Sequence, residues 1–212
     1  MKRSLLWKSL QMLARIGTST WIDLKVHRKH HVPRTGGVLL VANHQSFLDP
    51  VLVAVRLDRP VSFLAKSELF ENRYLKWLIT NLHAFPVRQG KGDVRAIKET
   101  VERLQEGHVL NVYPEGHRTE DGELGVVQPG IALMIRKAGV PIVPVAIIGS
   151  FNSWPRSAKL PRAGHVRVLY GPPIDVSGLK ASEVVTLIHQ TLAALLEELY
   201  VMHPEVARGK KA

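Results

Sequence analysis

The sequence predicts one α/β domain: a mostly parallel central sheet flanked by helices, with an N-terminal amphipathic helix. Three observations predict it. Short apolar runs of strand length alternate with stretches of helical period along most of the chain. The length, 212 residues, suits one domain with a substantial core and would crowd a second. No internal repeat or low-complexity tract breaks the alternation.

Residues 4–24 place Leu6, Leu10, Leu13, Gly17, Trp21 and Leu24 near helical spacing, with Lys2, Arg3, Lys8 and Arg15 supplying basic charge. That is the pattern of a basic amphipathic helix, and it fits two readings equally: contact with a membrane, or packing on the domain's own core. Gly36 and Gly37 break the chain, and Val38–Ala42 is a continuous apolar run, as in a strand buried on both faces. Asp49-Pro50 reads as an N-cap followed by proline at the first helical position, opening a helix over 51–56. Strands are expected at 61–65, 84–87, 109–113, 142–148 and 166–170. Helices are expected around 74–82, at 131–138 before Gly139, and over 182–200. A further helix is capped by Asp93, carries a buried stripe of Ile97, Val101 and Leu104, and ends at Gly107. Residues 150–164 read as a loop rich in Ser, Pro and Arg.

Composition narrows the chemistry. There is no cysteine, so disulfides, thiolate nucleophiles and acyl-cysteine intermediates are excluded. Lys and Arg number 29 against 18 Asp and Glu, a formal charge of +11 that favours an anionic partner: a membrane surface, a phosphorylated substrate or nucleic acid. The basic residues are scattered and match no nucleic-acid-binding signature, so a nucleic-acid partner is not expected. No run of uninterrupted apolar residues reaches the roughly 18 of a membrane span, and the N-terminus is not a clean secretory signal. His27, His30 and His31 fall where they could share a helical face, but Arg28 and Lys29 among them disfavour a bound cation, and no metal site is expected.

In parallel sheets ligands bind at the carboxyl ends of strands. The polar clusters fall there. Asn43-His44-Gln45-Ser46-Phe47-Leu48-Asp49 follows the first apolar run. On one straight helix, residues five apart would point roughly 140° away from each other; a loop that turns before Pro50 lets His44 and Asp49 meet. A carboxylate on one imidazole nitrogen leaves the other free to accept a proton, which makes a general base. Taken alone, the pair also reads as a loop histidine and a helix cap. Tyr113-Pro114-Glu115-Gly116-His117-Arg118-Thr119 follows a second apolar strand: Arg118 offers a fork of donors suited to phosphate, Gly116 permits close backbone approach, and Glu115 is placed to position Arg118 or a substrate hydroxyl. Phe85-Pro86-Val87-Arg88 puts another arginine past a strand, near a helix N-terminus. Val140-Pro141-Ile142-Val143-Pro144 sets two prolines three apart at a strand start, a structural feature first.

Together these segments resemble the 1-acylglycerol-3-phosphate acyltransferase superfamily, in order and spacing, over roughly residues 36–150. The first cluster matches its NHX4D motif, Phe85 to Arg88 its Phe-x-x-Arg motif, 114–119 its Pro-Glu-Gly-Thr-Arg-Ser motif, and 140–144 its Val-Pro-Ile-Val-Pro motif; Ala65-Lys66-Ser67-Glu68-Leu69 also resembles a common family segment. The resemblance implies that His44 is the base and Asp49 its orienter, and that Arg88, Glu115, Gly116 and Arg118 hold the glycerol phosphate of the acceptor. It implies a lysophospholipid acceptor, most simply 1-acylglycerol-3-phosphate giving phosphatidate, an acyl-CoA or acyl-acyl carrier protein donor, and no cofactor. Here His117 and Thr119 stand where the family usually has Thr and Ser, and Gln128 stands near a usual Lys, which leaves another lysolipid or glycerol 3-phosphate open as acceptor. The implied organisation is a membrane-associating segment at 1–32, an acyltransferase domain at 33–203 and a basic tail at 204–212. Its expected location is the cytoplasmic face of a membrane, held peripherally or monotopically on an anionic surface. Outside that class stands a non-catalytic protein binding anionic membrane or nucleic acid, since a fold alone does not imply activity.

Overall fold

Apolar runs become strands where the sequence predicts them. A computed structural model describes residues 5–87, 93–206 and 208. Its strands are β1 (Leu24–His27), β2 (Val38–Ala42), β3 (Val61–Lys66), β4 (Ala84–Val87), β5 (Val109–Val112), β6 (Ile142–Ile148) and β7 (Val166–Tyr170). Among the described residues they form one sheet in the order β1-β7-β6-β2-β5-β3-β4, and every pair is parallel except β6 with β7. Each residue of β2, β5, β6 and β7 is buried, which explains why these strands read as continuous rather than alternating apolar runs. Pro144 is tolerated inside β6 because pairing with β7 begins only at Val145, and its carbonyl still accepts the Gly171 N–H at 2.8 Å.

The helices are α1 (Leu5–Thr20), α2 (Asp49–Ala54), α3 (Arg73–Asn81), α4 (Val94–Gln105), α5 (Gly130–Ala138), α6 (Ser150–Ser153) and α7 (Ala181–Met202). Alternate residues of each strand feed opposite faces. Leu40 packs with Leu52, Val53 and Tyr170 on one side, while Leu39 packs with Leu104, Ile135 and Ile188 on the other. By length and composition α7 could cross a membrane, but its stripe of Val184, Ile188, Leu192, Leu195, Leu196 and Leu199 is buried.

Four details differ from the sequence reading. β1 falls inside the stretch read as a membrane-associating segment and pairs in parallel with β7, so the sheet begins before residue 33. Asp49 is the first residue of α2, the N-cap is Leu48, and no side chain caps the helix, because the Asp49 carboxylate is occupied elsewhere. α4 buries Ala96, Thr100 and Leu104, one register from the expected stripe, with Ile97 and Val101 beside it. The 150–164 loop contains α6.

The N-terminal helix packs one face on the domain, as the second of its two readings expects. Trp7 and Thr18 are buried, Gln11 Nε2 donates to the Leu57 carbonyl at 2.9 Å, and Arg15 Nε donates to the Val55 carbonyl at 2.8 Å. The opposite face leaves Met12, Leu13 and Ile16 exposed at 64%, 66% and 52%. Next to the β1 edge, Arg167 of β7 is buried and ties residues 23 and 205 together: Nη2 donates to Asp23 Oδ2 at 2.9 Å and to Glu205 Oε1 at 3.0 Å. His203 completes the group, with Nδ1 3.0 Å from Glu205 Oε1 and Nε2 2.8 Å from His27 Nε2. A buried guanidinium is costly unless so paired.

Candidate active site

Where β2 ends, its ladder is continued by a side chain. Ala42 is the last residue paired with β6, and Asn43 then donates from Nδ2 to the Ile147 carbonyl at 2.9 Å and accepts the Ile147 N–H at 2.7 Å. This anchors the loop that follows. Sequence reasoning gave Asn43 no role, because its partner lies 104 positions away.

The loop turns as its spacing requires. His44 Nδ1 lies 2.8 Å from Asp49 Oδ2, and the same oxygen accepts the N–H groups of Gln45 and Ser46, each at 2.7 Å. A carboxylate only accepts, so Nδ1 carries the proton and Nε2 is left as the acceptor. Asp49 is fully buried, whereas the His44 side chain is 17% exposed. Nε2 has no partner among the described residues and is not among the buried atoms that lack one; it therefore opens to solvent.

The second cluster meets the first across the mouth of the sheet. Glu115 is buried, and its Oε1 accepts the His44 N–H at 2.7 Å while Oε2 accepts the Gly125 N–H at 2.8 Å. This corrects the expectation that Glu115 faces the acceptor or Arg118: both oxygens brace backbone, linking the histidine loop to the irregular segment after Gly122. Burial pushes its carboxyl up to about 7, against the two N–H bonds, which pull it down. The Thr119 N–H donates to the His44 carbonyl at 2.8 Å, and Gln45 Nε2 donates to the Gly122 carbonyl at 2.6 Å, so the two loops hold each other.

Gly116 serves differently from the expectation of close approach. A Cβ there would meet Gln128 Cγ at an ordinary 3.6 Å, but its φ of +77° is one that side-chain-bearing residues avoid. Arg118 sets its guanidinium carbon 3.4 Å above the Phe47 ring, and its Nη1 is buried without a partner. Burial first, then the nearby Arg156, lowers its pKa. Phe47 in turn lies 5.3 Å from Trp154, whose carbonyl accepts from Ser46 Oγ at 2.8 Å. Arg88 lies outside the described residues.

His27, His30 and His31 do not share a helix. His27 ends β1, and the other two sit in a 3-10 turn where His31 Nδ1 is 2.9 Å from the Tyr170 carbonyl. Among the described residues no group of three or more His, Asp or Glu is placed to hold a metal ion. The assembled site is thus an oriented imidazole with one nitrogen open, a buried carboxylate behind it and a guanidinium on the neighbouring loop. Such a set suits proton abstraction from a hydroxyl beside an anionic group.

Known proteins are similar to this chain in sequence and in fold. Residues 23–148 match the model of a family described as Acyltransferase. The chain is 28% identical over 182 residues to a 1-acyl-sn-glycerol-3-phosphate acyltransferase of Bacillus subtilis, covering 83% of this chain and 87% of that protein. It is 34% identical over 145 residues to a protein of the same name from Streptococcus pneumoniae, covering 67% of this chain and 52% of that one. The crystal structure of the 1-acyl-sn-glycerophosphate (LPA) acyltransferase PlsC from Thermotoga maritima superposes with a TM-score of 0.78 at 26% identity, covering 91% of this chain and 79% of that chain.

Proposed function

The chain belongs to the Acyltransferase family and is an O-acyltransferase; from that premise we propose that it moves a fatty acyl group from a thioester to the free hydroxyl of 1-acylglycerol-3-phosphate, giving phosphatidate. The observation that carries the proposal is the 2.8 Å contact of His44 Nδ1 with buried Asp49, with Nε2 open. The names of the Bacillus and Streptococcus relatives and of the Thermotoga structure support the acceptor.

In this reading His44 Nε2 removes the acceptor's hydroxyl proton as that oxygen attacks the thioester carbonyl carbon. A C–O bond forms and a tetrahedral oxyanion results. Collapse breaks the C–S bond, and the departing thiolate takes the proton back from His44. Asp49 stays ionised, keeps the imidazole in one tautomer and stabilises the imidazolium. The chain has no cysteine to carry an acyl group, which supports direct transfer. Arg118 binds the acceptor phosphate, joined by Arg88 on the strength of its sequence motif, while Glu115 and Gly116 shape the loop that presents Arg118. No cofactor is needed beyond the acyl donor, and acyl-CoA and acyl-acyl carrier protein offer the same thioester chemistry.

The enzyme works on a peripheral perch at the anionic cytoplasmic leaflet. Support comes from α1, which carries Lys8 and Arg15, no acidic residue, and an exposed apolar row of Met12, Leu13 and Ile16.

The test is release of free thiol from palmitoyl-CoA with a panel of acceptors: 1-oleoyl-lysophosphatidate, glycerol 3-phosphate and lysolipids with other headgroups. Wild type should turn over lysophosphatidate fastest, and His44→Ala should be inactive while its circular dichroism is unchanged. Normal turnover in His44→Ala removes His44 as the base, and preference for another acceptor replaces the assigned substrate.

A further inference from the structure

The imidazole of His44 is held at its edge by Asp49 and at its backbone by Glu115, and one of its faces is also covered. Tyr113 follows β5 directly, and its ring lies almost flat on that of His44, with centroids 3.8 Å apart and planes inclined by 14°. The ring is partly exposed, but the hydroxyl is buried and bonds to nothing among the described residues. Both amide atoms of Asn111, two positions earlier on β5, are also buried without partners, as is Asp49 Oδ1.

We propose that Tyr113 is a positioning residue for acyl transfer: its ring face fixes the tilt of the His44 imidazole and stabilises the imidazolium formed when Nε2 takes the acceptor's proton. The proposal rests on the reading of His44 as the base. A single hydrogen bond at Nδ1 fixes one edge of the imidazole and leaves rotation about that axis. A flat neighbour at stacking distance removes that freedom. As the ring gains charge, the negative face of the phenol attracts it, as aromatic faces attract other cations. Burial, followed by the charge of Asp49, raises the phenol pKa well above its ordinary value, so the ring stays neutral throughout. The acceptor must then approach from the uncovered face or along the Nε2 edge. The unbonded hydroxyl has no part in this; the aromatic face acts.

Two variants of the full chain separate ring from hydroxyl, assayed with palmitoyl-CoA and 1-oleoyl-lysophosphatidate across pH, beside wild type and His44→Ala. Tyr113→Leu removes the ring face and should lower kcat about tenfold with little change in KM, the scale of a partly desolvated cation–π contact. It should also move the acidic limb of the kcat/KM profile to lower pH, because the protonated imidazole has lost a stabilising neighbour. Tyr113→Phe should recover most of the lost rate and return the limb to its wild-type position. Tyr113→Met, unbranched and without a ring, carries the same test if the leucine variant unfolds. Wild-type kcat and limb in the ringless variants would overturn the proposal, as would equal loss in Tyr113→Phe and Tyr113→Leu. If wild type transfers no acyl group, or His44→Ala remains active, the reading of the base fails. An active wild type, an inactive His44→Ala and an unaffected Tyr113→Leu condemn the stacking role alone.

Discussion

Replacing Asp49 by asparagine keeps the shape of the side chain and removes its charge. One oxygen of Asp49 accepts three donors, His44 Nδ1 and the N–H groups of Gln45 and Ser46, at 2.7 to 2.8 Å. An asparagine can keep its carbonyl toward these donors, but its NH2 then takes the place of Oδ1, which is buried without a partner. Weakening three charge-assisted bonds and stranding an amide, offset by relief of a buried charge, should cost about 2 to 4 kcal/mol of stability. The rate should suffer more. An imidazolium and a carboxylate about 4 Å apart between charge centres attract by about 4 kcal/mol at the effective dielectric of a protein surface. Loss of that attraction in the transition state corresponds to about a thousandfold in kcat, inside the ~10² to 10⁴ range of general-base catalysis. Thiol release under saturating lysophosphatidate gives kcat, and urea unfolding gives the stability change. A kcat within threefold of wild type in a folded Asp49→Asn protein would refute the role assigned to the carboxylate, and a change confined to KM would refute its action in the transition state.

Two further outcomes follow from the same framework. Glu115 has its carboxyl raised to about 7 from an ordinary 4.5, so between those values the folded state holds a proton that the unfolded state has lost. Its contribution to stability is full below about pH 4.5 and is lost as pH rises to 7, by at most about 1.4 kcal/mol per pH unit; urea midpoints at pH 5 and pH 7 should differ less in Glu115→Gln, and an unchanged difference contradicts the assignment. Leu13 and Ile16 are 66% and 52% exposed, so the double change Leu13→Glu with Ile16→Glu should leave stability nearly intact while abolishing sedimentation with phosphatidylglycerol vesicles; undiminished binding would place the membrane contact elsewhere.

How much was readable in the sequence depended on whether a residue's partners were local. Val38–Ala42 and Ile142–Ile148 announce themselves because every side chain is apolar and buried. β1, Leu-Lys-Val-His, carries no such signal: it is four residues at a sheet edge, half of them basic. The meeting of His44 with Asp49 was legible because both lie in one short turn. The brace role of Glu115 was not, since its partners are backbone groups of His44 and Gly125, and backbone carries no sequence signature. The α4 stripe shifted because Ala96 and Thr100 are small enough to lie innermost, leaving the larger Ile97 and Val101 to flank them. Tyr113 looked like one more residue of an apolar strand, and only coordinates reveal the ring against which it rests.

The pairing of β1 with β7 has a consequence for the order in which the protein takes shape. Asp23 meets His165 across 142 positions, and Arg167 meets Glu205 from still further along the chain. During synthesis the first strand emerges well before the strand it pairs with, about 140 residues later, since chains lengthen by roughly 5 to 20 residues per second. β1 therefore waits unpaired until β7 has been made, and the arginine knot closes only once Glu205 follows, drawing residues 23 and 205 together.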